Sequence, residues 1–127
     1  MYICIMQLGN LMGLIAGGAI GSLLRWAIGL RIPFHAHQFS WSTFFINASA
    51  CFLIGLLWSK IETDAAKLFW ITGFLGGFST FSGFTVEIIQ YLQCQEYKLA
   101  AVYGISSIIF GILLTWLGQR FSVSFSA

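Results

Sequence analysis

Four long runs without a charged residue restrict this chain to a membrane. They cover residues 8–24, 41–59, 68–86 and 99–119, and each is between 17 and 21 residues long. A helix needs about 20 mostly apolar residues to cross the hydrocarbon core of a bilayer. With 58% apolar and only 8% charged residues, the chain cannot be an ordinary soluble domain. The sequence therefore predicts an all-α membrane protein, with residues 1–127 forming one domain of four transmembrane helices near 8–30, 41–59, 68–92 and 99–120.

Basic residues are divided almost evenly between the two ends of these helices. If the helices alternate in direction, Arg25, Arg31 and Lys98 belong to one side of the membrane, and Lys60, Lys67 and Arg120 to the other. An excess of Lys and Arg on one side normally fixes the orientation of a membrane protein. Without an excess, the chain can insert both ways, and two opposed copies can pair about an axis in the membrane plane. A single orientation set by one dominant loop charge remains the alternative.

The segment GGFSTFSGF, residues 76–84, is poor material for a continuous helix. Irregular backbone is tolerated in lipid only where it is buried in protein or lines a cavity. We therefore expect the third helix to break at its centre, at a cavity or an interface. Carbonyls freed by such a break suit a small hard cation such as sodium. In an antiparallel pair, carbonyls from both copies would converge on the two-fold axis.

Polar side chains within the other spans indicate a partly wet path. The amide of Asn47 is costly in lipid unless it bonds a neighbouring helix or faces water. On the fourth helix, a polar stripe recurs every four residues at Tyr103, Ser107, Gly111 and Thr115. One hydroxyl can return a bond to its own helix, whereas a whole stripe favours a hydrated path.

Two phenylalanines beside the break have two possible roles. Phe81 and Phe84 are three residues apart and share a helical face. Their rings either pack in the core or point their positive edges into a lumen as a weak anion site. The hydroxyls of Ser79, Thr80 and Ser82 add hydrogen-bond donors without fixed negative charge.

Charged and titratable side chains lie mostly near the ends of the spans. Arg25 either snorkels to the headgroups or binds an anion, and Glu87 is either interfacial or lines a vestibule. The two-residue spacing of His35 and His37 suits neither a metal site nor a catalytic pair, so we expect a solvated loop there. No nucleophile, base and orienting group come together, so the sequence does not predict an enzyme.

These motifs resemble the successive helix signatures of the Fluc fluoride channels, also called CrcB proteins. The segments are GGAIGSLLRW (17–26), STFFIN (42–47) with Gly55, GFLGGFSTFSGFTVE (73–87) and YGISSIIFG (103–111). The resemblance covers nearly the whole chain in the same order. It implies an antiparallel, dual-topology homodimer in the bacterial inner (plasma) membrane, with two fluoride pores and a central structural sodium ion. Its partners would be fluoride, lipid and a second copy, and not nucleic acid.

Residue roles follow from the same resemblance. Arg25 and Glu87 match vestibule positions, and Gly76 and Ser79 match the residues whose backbone carbonyls hold sodium. The residues expected along the fluoride pore are Thr43, Asn47, Thr80, Phe81, Ser82, Phe84, Tyr103 and Ser107. The chain departs from the usual pattern at Ser42, Ser79, Gly83 and Gly111. Of these, Gly83 lacks a hydroxyl close to the rings, and we expect altered rate or affinity rather than lost conduction.

Two other classes of membrane protein fit parts of the pattern. A small multidrug-type, proton-coupled exporter has about this length and helix number, but it needs a membrane-embedded carboxylate. The first helix has none, and Glu87 lies near the end of its span. In the first helix Gly13, Gly17 and Gly21 recur every four residues, a spacing that predicts close packing of helix backbones in lipid. A subunit that only assembles with others would explain these glycines, but not the broken helix and the polar stripe.

Overall fold

The computed structural model describes residues 2–124, and side-chain environments from residue 8 onward. All regular structure within these residues is helical. The segments are α1 Tyr2–Arg31, α2 Trp41–Trp58, α3 Asp64–Lys67, a π-helical segment Leu68–Leu75, α4 Gly76–Phe78, α5 Phe81–Gln93 and α6 Tyr97–Ser124.

Three of these helices are long and apolar enough to cross a membrane. They are residues Leu8–Arg31 of α1, Trp41–Trp58 and Tyr97–Ser124. The fourth predicted span, 68–92, is a composite of the π-helical segment, α4 and α5 rather than one helix. The structure thus establishes three candidate spans where the sequence predicted four, because the third of the predicted helices is interrupted.

The interruption lies at Ser79 and Thr80, inside the GGFSTFSGF segment. Both residues are extended, with φ and ψ of −76° and 157° at Ser79 and −147° and 112° at Thr80. The Thr80 hydroxyl then accepts a 2.9 Å hydrogen bond from the amide of Gly83 and caps α5. The chain stops one helix and restarts another within two residues.

Glycines on α1 allow its backbone to contact the backbone of the π-helical segment and α4 directly. A Cβ added at Gly21 would lie 2.1 Å from the Phe74 carbonyl oxygen. One added at Gly17 would lie 2.3 Å from the carbonyl oxygen of Phe69. Such backbone contact provides dispersion energy in lipid, where the hydrophobic effect does not drive helix association. The predicted close-packing role of these α1 glycines is therefore confirmed for Gly17 and Gly21.

A second close pair joins α2 to α6. A Cβ at Gly55 would lie 2.2 Å from the Thr115 carbonyl oxygen, and one at Gly118 would lie 2.3 Å from that of Phe52. The bundle consists of this pair and the α1 pair, with α5 packed on α6. The break at Ser79 and Thr80 lies beside α2, as the contact of Thr80 with Asn47 shows.

Candidate ion-conducting site

The side chain of Asn47 holds the broken backbone at Thr80 from both sides. Its Nδ2 donates to the Thr80 carbonyl oxygen at 3.0 Å, and its Oδ1 accepts from the Thr80 amide at 2.8 Å. The two backbone groups exposed by the break are thereby satisfied without water. An amide nitrogen carries two hydrogens, so Asn47 retains a second donor.

The same contact changes the bonding of the preceding turn. In a continuous helix the Gly76 carbonyl would accept from the Thr80 amide, which instead binds Asn47. The Ser79 amide and hydroxyl both bond the Leu75 carbonyl oxygen at 2.9 Å. The Gly76 carbonyl is thus released from its helical partner, and Ser79 lies in an extended backbone.

A groove of about 350 Å³ lies against this break, and we call it the Asn47 groove. Its polar lining comes from Asn47, Ser79, Thr80 and Ser107, and its apolar lining includes Phe81 and Phe84. No carboxylate or ammonium group is among its lining residues. The groove therefore offers neutral amide and hydroxyl donors on an apolar wall.

A second groove of about 570 Å³ continues between α2 and α6 toward the carboxyl end of α6. It shares Cys51, Ser107 and Ile108 with the Asn47 groove. Farther along it is lined by Gly111, Thr115, Trp116 and Gln119. The predicted polar stripe of the fourth helix therefore lines this groove from Ser107 to Thr115, and Tyr103 does not.

Ser107 has a buried hydroxyl oxygen that makes no hydrogen bond within the described residues. By contrast, Thr115 returns its hydroxyl to the Gly111 carbonyl oxygen at 2.9 Å. Buried polar groups nearly always have a partner. A groove-lining hydroxyl without one is available to a small ligand.

The two phenylalanines next to the break differ in burial. The side chain of Phe84 is 7% exposed, whereas that of Phe81 is 78% exposed. Their ring centroids are 5.8 Å apart, and the ring planes meet at 37°. The two rings are neighbours on one face of α5, as their three-residue spacing indicates, and Phe81 is on the outside of the single chain.

Glu87 lies in a hydrogen-bonded cluster behind Phe84. One carboxylate oxygen accepts from the Thr43 hydroxyl at 2.7 Å, and the other accepts from the Tyr103 hydroxyl. Tyr103 is fully buried, and its ring centroid lies 5.2 Å from that of Phe84. Three predicted site residues, Thr43, Glu87 and Tyr103, thus meet in one cluster, which their positions along the chain did not indicate.

The remaining predicted residues, Arg25 and Ser82, do not line either groove. Arg25 is partly exposed on α1, and Ser82 is 3.3 Å from Thr80 through their hydroxyl oxygens. A Cβ at Gly83 would lie 3.0 Å from Thr80 Cγ2, so the missing side chain there leaves room for the α5 cap. Across the described residues, no group of three His, Cys, Asp or Glu side chains is arranged to hold a metal ion.

Comparison with known proteins identifies related sequences over most of the chain. The family described as "CrcB-like protein, Camphor Resistance (CrcB)" matches residues 12–119. A protein of Thermus thermophilus named "Fluoride-specific ion channel FluC" is 43% identical over 109 residues, which cover 82% of this chain and 86% of the relative. A protein of the same name from Desulfotalea psychrophila is 40% identical over 121 residues, covering 90% and 94%. Its namesake from Haemophilus ducreyi is 36% identical over 109 residues, covering 86% and 88%.

Proposed function

The chain belongs to the CrcB family, and on that premise we propose that it is a fluoride-selective channel through which cytoplasmic fluoride leaves passively. Relatives that are 36 to 43% identical over most of the chain carry the name of such a channel. The structural observation that supports the proposal is the chemistry of the Asn47 groove. Its polar groups are amides and hydroxyls, and none is a carboxylate.

Neutral donors suit a small, strongly hydrated anion that must move on after binding. Conduction requires binding that is strong enough to admit the ion and weak enough to release it. The second amide hydrogen of Asn47 and the unbonded hydroxyl of Ser107 replace part of the hydration shell of fluoride. The edge of the Phe84 ring adds a weak positive potential without a fixed charge.

The same groove argues against the proton-coupled exporter. Such a protein needs a carboxylate that alternates between a proton and a cationic substrate. Glu87 does not line either groove, and both of its oxygens accept hydrogen bonds from Thr43 and Tyr103. The lining of the Asn47 groove therefore has no carboxylate that could couple transport to a proton.

The working channel in this proposal is an antiparallel, dual-topology homodimer with two pores in the bacterial inner membrane. The even distribution of Lys and Arg supports insertion in both orientations. The exposed ring of Phe81 would be covered by the second copy and complete the wall of a pore. Each pore would thus contain groups of both chains.

A structural sodium ion on the two-fold axis completes the proposal. Carbonyl oxygens are the ligands that hard monovalent cations use at helix breaks. The released carbonyl of Gly76 and the extended backbone at Ser79 fit that chemistry, and these residues would hold the ion. The ion would offset the repulsion that an anion nearby feels from the carbonyl ends.

Reconstituted liposomes test the proposal directly. Purified protein is incorporated into vesicles that contain potassium fluoride or potassium chloride, and release after valinomycin addition is followed with ion-selective electrodes. We expect rapid fluoride release and negligible chloride release. Absence of fluoride release from folded protein would refute the channel, and equal release of both ions would refute its selectivity.

A further inference from the structure

Arg120 lies near the carboxyl end of α6, just beyond Trp116 and Gln119 at the end of the second groove. We call that end the groove mouth. None of the residues that line either groove is charged, and Arg120 is the next residue of α6 after the lining ends. We propose that Arg120 attracts fluoride to the groove mouth and so raises the concentration of the anion there. This inference rests on the proposed channel function and concerns how the ion enters.

The residues of α6 that line the second groove form two rows with four-residue spacing. One row continues the polar stripe to Gln119, and the other consists of Ile108, Ile112 and Trp116. Residues four apart lie one above the other on the same face of a helix. Arg120 is the next member of the second row, so the helix places it on the groove side of α6.

The Arg120 side chain folds back over this row. Its guanidinium carbon lies 5.2 Å from the centroid of the Trp116 ring, within the range of a cation–π contact. An arginine at the end of a span commonly extends toward the headgroups, which here is the direction of Ser124. The contact with Trp116, one turn back, instead keeps the charge at the groove mouth.

The charge of Arg120 is not neutralised by a carboxylate. Within residues 8–124, Arg120 forms no ion pair. The carboxylates of Glu62 and Asp64 at this end of the bundle are in the loop after α2 and at the start of α3. A guanidinium carries five N–H donors and no acceptor, and the Trp116 ring supplies no oxygen to bind them. The full charge is therefore available to an anion at the groove mouth.

The distance to the Asn47 groove limits what Arg120 can do. Arg120 is 13 residues after Ser107, which is about 20 Å along α6 at 1.5 Å per residue. It therefore cannot bind an ion held by Ser107, but its field acts on ions that approach the mouth. Walls of low dielectric constant, here Ile112 and Trp116, concentrate that field in the groove. Arg120 thus affects entry, whereas the neutral donors contact the ion farther in.

Salt dependence distinguishes an attracting charge from a structural one. In the liposome assay, we expect Arg120→Gln to slow fluoride release about twofold at an ionic strength of about 0.01 M, where the screening length is about 30 Å. With gluconate salt added to about 1 M on both sides of the membrane, the screening length falls to about 3 Å, and the variant should match the unmodified protein. An unchanged rate at low salt would overturn the proposal, and so would an equal loss at both salt concentrations.

Two further variants separate the charge of Arg120 from its position. Arg120→Lys keeps the charge and should release fluoride at nearly the normal rate. The matched control is Lys67→Gln, which removes a charge at the same end of the bundle. Because Lys67 is on α3, which packs on the π-helical segment and α1, this variant should leave the rate unchanged. A loss in Arg120→Lys or Lys67→Gln equal to that in Arg120→Gln would overturn the role of Arg120.

Iodide quenching of Trp116 fluorescence reports on the groove mouth without depending on conduction. The parent for this measurement keeps Trp116 and has phenylalanine at the other four tryptophan positions. If that parent does not fold, the difference between the unmodified protein and Trp116→Phe gives the same signal. At low salt, Arg120→Gln should lower the quenching constant of iodide about twofold and leave that of acrylamide, a neutral quencher, unchanged.

The quenching experiment also identifies the alternatives to an attracting charge. If Arg120 bound only the phosphate of a lipid headgroup, iodide quenching would not change, and that result would overturn the proposal. An equal fall for both quenchers would show only a change in the exposure of the ring, and it would overturn the proposal as well. Absence of fluoride release from the unmodified protein would instead refute the channel function itself, whatever the quenching shows.

Discussion

The amide of Asn47 substitutes for backbone hydrogen bonds that the break at Ser79 and Thr80 removes. It satisfies one donor and one acceptor of Thr80, in a region where unsatisfied groups are costly. We expect Asn47→Ala to lower the free energy of unfolding in detergent by about 1–3 kcal/mol, because both Thr80 groups lose a buried partner. Thermal unfolding of the purified variant measures this change, and fluoride release should fall with it.

The matched control for Asn47→Ala is Ser49→Ala, which also removes a polar side chain from α2 but does not affect the break. Ser49 bonds only carbonyls of its own helix, at Phe45 and Ile46, so Ser49→Ala should unfold at nearly the temperature of the unmodified protein. Equal stability of the two variants would show that the Asn47 bonds do not hold the break.

Ser107 is expected to affect conduction without stabilising the chain. Its buried hydroxyl has no partner among the described residues, so Ser107→Ala removes an unsatisfied group and should leave the stability unchanged or slightly higher. Fluoride release should nevertheless drop about tenfold, the effect of losing roughly 1.4 kcal/mol of ion stabilisation. The neighbouring Ser106 bonds the Tyr103 carbonyl oxygen at 3.2 Å and does not line either groove. Ser106→Ala should conduct normally, and a matching loss in that variant would contradict a specific role for Ser107.

For single residues, the sequence showed which side chains need a hydrogen-bond partner, but it did not identify the partner. It showed that Asn47 must bond a neighbouring helix or face water, and the structure shows a bond to Thr80 on the groove wall. It did not indicate that Thr43 and Tyr103 bind Glu87. Those three residues are far apart along the chain, and only the packing of α2, α5 and α6 brings them together.

At the level of helices, the packing of α1 depends on the absence of side chains at its contact points. A Cβ at Gly21 would lie 2.1 Å from the Phe74 carbonyl oxygen and 2.8 Å from the Phe78 amide nitrogen. Backbone atoms of a packed segment cannot move aside, so we expect Gly21→Ala to destabilise the protein by about 2 kcal/mol or more. The measurement is again thermal unfolding in detergent.

Gly29 provides the matched control for that substitution, because an added Cβ there meets no atom within 4 Å. Gly29→Ala lies in the same helix and should keep or slightly raise the unfolding temperature, since alanine is the better helix former. If both variants unfolded alike, close backbone contact at Gly21 would not be what holds α1 in place.

The turn between α5 and α6 contains a residue in a conformation that glycine prefers. Gln95 has a φ of 60°, and its hydrogen bonds to Leu92 and those of Glu96 to Tyr91 form a Schellman motif. Gln95→Gly should therefore stabilise the protein by about 0.5–1 kcal/mol, as relief from the left-handed backbone outweighs the added freedom of the unfolded chain. Gln93→Gly, inside the last turn of α5, should have the opposite sign. A loss of stability in the Gln95 variant would disprove this account of the turn.

The break and the pattern of small residues were predictable from sequence, because both follow from local composition. The π-helical form of Leu68–Leu75 was not. That segment reads as an ordinary apolar run, and its winding accompanies contact with the α1 backbone, where Gly73 lies close to Leu14 and Gly18. The local sequence thus predicts where the helix breaks. The π-helical winding of Leu68–Leu75, before the break, depends instead on tertiary packing.

For the whole molecule, the distribution of charge bears on how the chain enters the membrane. The turn after α5 and the loop after α2 lie at opposite ends of the bundle, and Cys94 and Glu62 are exposed there. If the balanced Lys and Arg residues permit both orientations, each of these positions faces outward in about half of the copies. A variant that keeps only Cys94 should then be labelled to about half by a membrane-impermeant maleimide on intact spheroplasts. A cysteine placed only at Glu62 should give the same fraction.

These two positions together separate dual from single orientation. A single orientation would label one position almost completely and leave the other unlabelled until the cells are opened, and that result would refute the antiparallel dimer because every copy would point the same way. Near-equal labelling at both positions would support it. The comparison needs no assumption about rates of labelling, because full reaction after lysis gives the total number of thiols at each position.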